Sequence, residues 1–106
     1  MRTLIWGKTF LRAFKRVSKK HPGLIKDMEK TLRLLVEDPF APQLETHKLK
    51  GKLSGSWACK VEYDLRIVFD FIKKEGQREP DILLMEIGSH EEVYYLNFAS
   101  RNVLPS

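Results

Sequence analysis

Residues 57–72 read Trp57-Ala-Cys-Lys-Val-Glu-Tyr-Asp-Leu-Arg-Ile-Val-Phe-Asp-Phe-Ile72. Trp57, Cys59, Val61 and Tyr63 alternate with Ala58, Lys60, Glu62 and Asp64, a period of two that places one set on a single face of a strand. Leu65 to Ile72 is a second apolar, β-rich run. Ile82 to Ile87 is a third, reached through the polar stretch Lys73 to Asp81, where Gly76 and Pro80 turn the chain. The connections are too short for crossover helices, so three consecutive strands form an antiparallel meander.

Upstream the period changes. Between Lys8 and Lys20 the apolar residues Phe10, Leu11, Phe14 and Val17 sit at offsets of 0, 1, 4 and 7 with Lys and Arg between them, which predicts an amphipathic helix. His21-Pro22-Gly23 interrupts it, because proline cannot continue a helix but suits the first turn of the next. Leu24, Ile25, Met28, Leu32, Leu35 and Val36 then repeat at three-to-four spacing until Asp38-Pro39. The two helices make a hairpin with one shared apolar face. Arg2 to Trp6, β-branched and aromatic and ended by Gly7, reads as a first strand. Phe40 to Leu53, with Pro42 and Gly51 and no clear period, reads as a loop running into a strand. The predicted order is strand, two helices and three strands, an α+β fold with the helix hairpin on one sheet face.

With 106 residues, 42% of them hydrophobic, the chain is expected to form a single domain over residues 1–106, with 95–106 a weakly patterned tail. Nineteen Lys and Arg against fourteen Asp and Glu leave a net charge of +5, which favours a polyanion or an acidic protein as partner. The single cysteine, Cys59, excludes an internal disulfide and points to a reducing cytosol. No segment has the apolar length of a signal peptide or a membrane span, so a cytoplasmic location and no membrane partner are expected. Glycine-rich phosphate loops, His-Glu-x-x-His helices and Cys/His quartets are missing, which leaves nucleotide hydrolysis and zinc chemistry without a motif. Asp64, Asp70 and the Glu91-Glu92 pair have no metal-site spacing, and neither metal nor cofactor is expected.

What remains is acid-base chemistry on a phosphate. His47 and His90 lie where strands begin or end, and histidine is the side chain whose ordinary pKa starts near neutrality. Thr46-His47-Lys48-Leu49-Lys50-Gly51-Lys52 concentrates cations able to hold phosphate. Lys60, Asp64 and Arg66 surround the turn between the first two meander strands; Lys60 and Asp64 share alternation parity, and a guanidinium grips phosphate through two parallel bonds. A salt bridge among Glu62, Asp64 and Arg66 is the plain structural alternative. After Ile87-Gly88-Ser89-His90-Glu91-Glu92-Val93, Tyr94 offers a ring either for stacking on a base or for the core.

His47-Lys-Leu-Lys-Gly51, Gly55-Ser-Trp57, Val61-Glu-Tyr-Asp-Leu-Arg-Ile-Val-Phe69 and Ile87-Gly-Ser-His-Glu-Glu-Val-Tyr94, taken together, resemble the RelE/ParE toxin superfamily, and within it the YafQ-like branch, over residues 1–94. The resemblance implies the RelE-like fold, with two helices and a four-stranded sheet, and a toxin of a type II toxin-antitoxin system that cuts mRNA in the ribosomal A site. It implies an acidic antitoxin as partner beside mRNA and the ribosome. Carried over by position, His47, Asp64, His90 and Tyr94 match the branch's catalytic positions, and Arg66 an arginine used on the phosphate. Where the branch has a further histidine in the second strand, this chain has Lys60. The expected reaction is attack of the RNA 2′-hydroxyl on the adjacent phosphate, with His47 and His90 as base and acid in either order. Lys60 and Arg66, with Lys48 and Lys50, would hold the phosphate, and Asp64 would orient a histidine or close the hairpin. The rival expectation is a non-catalytic, ParE-like poison of DNA gyrase, which needs no acid-base pair.

Overall fold

The computed structural model describes residues 2–51, 54–62 and 64–93. Strand β1 (Leu4–Trp6) leads into α1 (Lys8–Lys20), and a short 3-10 turn at Pro22–Leu24 leads into α2 (Ile25–Glu37). A second 3-10 turn at Pro42–Leu44 precedes β2 (His47–Lys48), followed by β3 (Trp57–Lys60), β4 (Leu65–Ile72) and β5 (Asp81–Ser89). At residues 90–93 the backbone is helical.

The sheet order is β1-β5-β4-β3-β2. The meander β3-β4-β5 is antiparallel as its short turns require, while β1 pairs with β5 in parallel, Leu4 opposite Ile82 and Trp6 opposite Leu84. The sheet therefore has five strands, not four. The additional strand is β2, two residues long, inside the stretch that lacks a periodic pattern; it is held by His47 opposite Ala58 and Lys48 opposite Trp57. A run that short carries no alternation to read, and only its pairing to β3 makes it a strand.

Helix α1 has the predicted bounds because its apolar stripe buries Phe10 and Ala13 and half-buries Phe14 and Val17. Leu11, counted on that stripe from its spacing, lies 39% exposed on the helix flank. Gly7 is required at the helix entrance: its N–H donates to the Leu84 carbonyl at 3.1 Å, and a Cβ there would stand 2.7 Å from that oxygen. In α2, Met28, Thr31, Leu32 and Leu35 are buried, and Asp38 ends the helix by accepting the Phe40 N–H.

Both helices cover one face of the sheet, where Cys59, Leu65, Ile67, Phe69, Ile82, Leu84 and Ile87 meet Phe10, Met28 and Leu35. The other face carries a small apolar cluster of Leu49, Ala58, Val68 and Val93, with Met85 against it. Met85 is the extra residue of a bulge, since Val68 pairs with Glu86 and Phe69 with Leu84. Val93 sits only one helical turn past His90, so the chain leaving β5 folds back across the open face toward β3 and β2. Among the described residues no helix is long and apolar enough to cross a membrane.

Candidate functional site

The register sets which candidate residues share a surface. Lys60 pairs with Arg66 and Arg66 with Gly88, forming one row across β3, β4 and β5. Two residues along lies the row His47, Ala58, Val68 and Glu86, on the same face because strand side chains alternate. That face is the one the helices leave open. Three strand spacings, about 14 Å, separate β2 from β5, and the return of the chain at residues 90–93 shortens this gap. His47 is paired to Ala58 of that apolar cluster, and Val93 of the returning chain belongs to it.

The end of β5 is shaped by a reciprocal cap. The Glu92 N–H donates to Ser89 Oγ at 3.0 Å, and the Ser89 N–H donates to Glu92 Oε1 at 2.7 Å. This is a capping box, and it starts the helix at His90. The Ser-x-x-Glu spacing was legible in the sequence as a helix start, although the stretch reads there as a strand end and turn. Gly88 leaves room for the Glu92 carboxylate, whose Oε1 would lie 2.9 Å from a Cβ at that position. The His90 backbone N–H donates to the Asp64 carbonyl at 2.6 Å and lies 3.3 Å from Asp64 Oδ1. Asp64 thus locks the backbone of His90 to the β3–β4 turn.

That turn corrects one reading. Lys60 ends β3, and Val61, Glu62 and Asp64 lie outside the strand, so alternation parity does not carry from Lys60 to Asp64. The Asp64 N–H donates to Glu62 Oε1, and Arg66 donates from one guanidinium nitrogen to the Glu62 carbonyl at 3.1 Å and the Leu65 carbonyl at 3.3 Å. The guanidinium folds over the turn. Lys60 Nζ pairs with Glu45 Oε2 at 3.5 Å, across from the residues that lead into β2.

The two lysines beside His47 part from it. Lys48 pairs with Trp57 and so projects to the opposite face, its ammonium 5.7 Å from the centre of the Trp57 ring. Lys50 is exposed beyond β2. Tyr94 lies outside the described residues. His47 Nδ1 is 3.0 Å from the carbonyl oxygen of Glu45, and Glu45 has φ 47° and ψ 42°, the only positive φ of a non-glycine residue among those described.

A cleft of about 320 Å³ opens beside this turn. Arg16, Lys20 and His21 from the end of α1 form one wall, and Glu62, Asp64 and Glu92 the other. His21, the third histidine, belongs there rather than with His47. Glu86 is half-buried, and burial pushes its carboxyl above the ordinary range against the opposing pull of the Ile87 N–H and the Arg16 charge. No group of three or more His, Cys, Asp or Glu among the described residues is placed to hold a metal ion.

The family model described as the bacterial toxin of type II toxin-antitoxin systems, YafQ, matches residues 2–95. A metal-bound toxin from Helicobacter pylori is 34% identical with a TM-score of 0.68, over 88% of this chain and 99% of that one. YafQ from E. coli is 17% identical with a TM-score of 0.72, over 89% and 99%. The E. coli DinJ-YafQ complex contains a chain 17% identical with a TM-score of 0.70 over the same shares. No curated protein matches.

Proposed function

This chain belongs to the YafQ family of bacterial toxins of type II toxin-antitoxin systems, and from that premise we propose that it is a ribosome-dependent endoribonuclease which cuts mRNA and stops translation in the cytoplasm. The observation that supports the reading is the open sheet face, where the row of His47 lies two residues from the Lys60–Arg66 row and the His90 backbone is held to Asp64 at the end of the same strands. A strand of RNA laid across this face meets two groups able to exchange protons, with fixed positive charge between them.

In the proposed reaction the 2′-oxygen of the RNA forms a bond to the adjacent phosphorus as one histidine takes its proton. The bond from phosphorus to the 5′-oxygen breaks, and the other histidine returns a proton to that oxygen. The products are a 2′,3′-cyclic phosphate and a free 5′-hydroxyl. Each proton transfer is worth about 10² to 10⁴ in rate. Arg66 and Lys60 would stabilise the additional negative charge on the phosphorane. Lys60 is engaged with Glu45, but both groups are solvent-accessible, and such a pair contributes at most about 1 kcal/mol. The singly charged phosphodiester, and still more the phosphorane as its second charge develops, can therefore displace the carboxylate. Asp64 acts through the backbone of His90, and Tyr94 would stack on or orient the base. Lys48 and Lys50 would contact RNA outside the reacting phosphate.

The E. coli relative occurs in complex with DinJ. By analogy, an acidic antitoxin that covers the basic surface and folds on binding is proposed for this chain.

The test is the chemistry of the cut ends. Mapping cleaved mRNA from translating cells should give 2′,3′-cyclic phosphate or its opened form upstream and 5′-hydroxyl downstream. Ends carrying 5′-phosphate would overturn the mechanism, since water attack leaves those. Intact mRNA with altered plasmid supercoiling would instead identify a gyrase poison.

A further inference from the structure

We infer that Glu45 is a positioning residue of this site and that its backbone carbonyl fixes the tautomer of His47; the link from tautomer to cleavage rests on the nuclease reading above. A carbonyl oxygen can only accept a hydrogen bond. The 3.0 Å contact between the Glu45 carbonyl and His47 Nδ1 therefore places the proton on Nδ1. In the neutral ring Nε2 then carries the lone pair. Free neutral histidine in water prefers the opposite tautomer, so the contact sets a state that the isolated side chain would not favour.

The backbone of Glu45 makes the contact possible. Its left-handed conformation, φ 47° and ψ 42°, turns the chain within the two residues between the 3-10 turn and β2, aiming the carbonyl back at the ring two positions on. Both flanks are pinned. The Glu45 N–H donates to the Pro42 carbonyl at 3.2 Å, Thr46 Oγ donates to the Pro39 carbonyl at 2.6 Å, and His47 is paired with Ala58. The same residue's carboxylate meets Lys60 at 3.5 Å. Glu45 thus meets the His47 ring through its backbone and the Lys60 ammonium through its side chain.

The experiment is a two-bond ¹H–¹⁵N correlation spectrum of the ¹⁵N-labelled 106-residue chain, at a pH where His47 is neutral, with single-turnover cleavage of ribosome-bound mRNA measured beside it. For the wild type we expect a protonated Nδ1 and an unprotonated Nε2. Glu45→Gly and Glu45→Val both lose the carboxylate, but glycine adopts the left-handed conformation freely and a β-branched residue resists it. Glu45→Gly should keep the wild-type tautomer. Glu45→Val should move toward the mixture of free histidine and cleave about fivefold more slowly than Glu45→Gly, the population equivalent of one lost hydrogen bond. Protonated Nε2 in the wild type, or equal behaviour of the two variants, would overturn the inference. If Glu45→Val does not fold, the wild-type and glycine spectra decide. A protonated Nδ1 in a protein that cuts no mRNA would remove the nuclease reading and leave the tautomer assignment standing.

Discussion

At the scale of single residues, neither proposed catalytic ring belongs to the buried core. His90 is exposed and held through its backbone, and His47 is half-buried on a two-residue strand. On the proposed mechanism, truncating either ring removes a proton donor or acceptor without taking volume from the core. His47→Ala and His90→Ala are each expected to lower the rate of mRNA cleavage at least about 100-fold and to relieve growth inhibition, with circular dichroism and urea midpoint close to wild type. Two folded, fully toxic variants would remove the histidine mechanism. Cys59 shows the opposite situation. It lies on the helix-covered face with no exposure, and burial pushes its thiol up to about 12, against the opposing pulls of the Ile67 backbone contact and the Arg66 charge. The thiolate is the reactive form, so a disulfide reagent at pH 8 should leave Cys59 unmodified in native protein and modify it fully in urea. Rapid native labelling would mean that this face opens.

Among the elements, β1 is the one whose attachment depends most on a single charge. It is three residues long and joins the sheet edge in parallel, with its entry fixed by the Thr3 N–H donating to Asp81 Oδ1 at 3.0 Å. Asp81 ends a polar stretch whose sequence reads as an exposed turn, yet it is 2% exposed. The Thr3 N–H, then the Gln77 amide and the Lys74 charge, hold its carboxyl below the ordinary range against the opposing effect of burial. The folded chain therefore binds this proton less readily than the unfolded chain. The stabilisation is fully present above the unfolded aspartate value, about 3.9, and is lost as pH falls through the lower folded value. Urea midpoints of the wild type should fall on acidification below about pH 4 more steeply than those of Asp81→Asn. Parallel slopes would show that Asp81 is not the group responsible.

For the molecule as a whole, the +5 charge favours a polyanion or an acidic protein as partner. Binding to a polyanion releases counterions, so association with RNA or with an acidic antitoxin should weaken steeply as salt rises. Purification from the native operon at low salt is expected to return a small acidic companion in stoichiometric amount, and high salt is expected to loosen it. Recovery of the chain alone at low salt would count against the proposed antitoxin. The exposed edge offers such a partner more than charge. Phe40, 56% exposed, packs its ring on Phe71 and edge-on to Trp57, with Lys48 over the Trp57 ring.

Local pattern determined the two helices, the meander and the face on which Cys59, Ile67 and Phe69 are buried, because periods of 3.6 and 2 are properties of contiguous residues. It also determined that His47, Lys60, Asp64, Arg66 and His90 are the residues to examine. Tertiary structure alone decided the parallel placement of β1, the pairing that makes His47–Lys48 a strand, the projection of Lys48 away from His47, and the return of Val93 across the open face. Glu45 was equally invisible: nothing in its side chain announces a left-handed backbone, which its pinned neighbours impose. The physical reason is common to all of these. A two-residue pairing, a strained φ and the meeting of residues 47 and 93 with one cluster are set by contacts between distant segments, and such contacts leave no periodic trace in the sequence around any one of them.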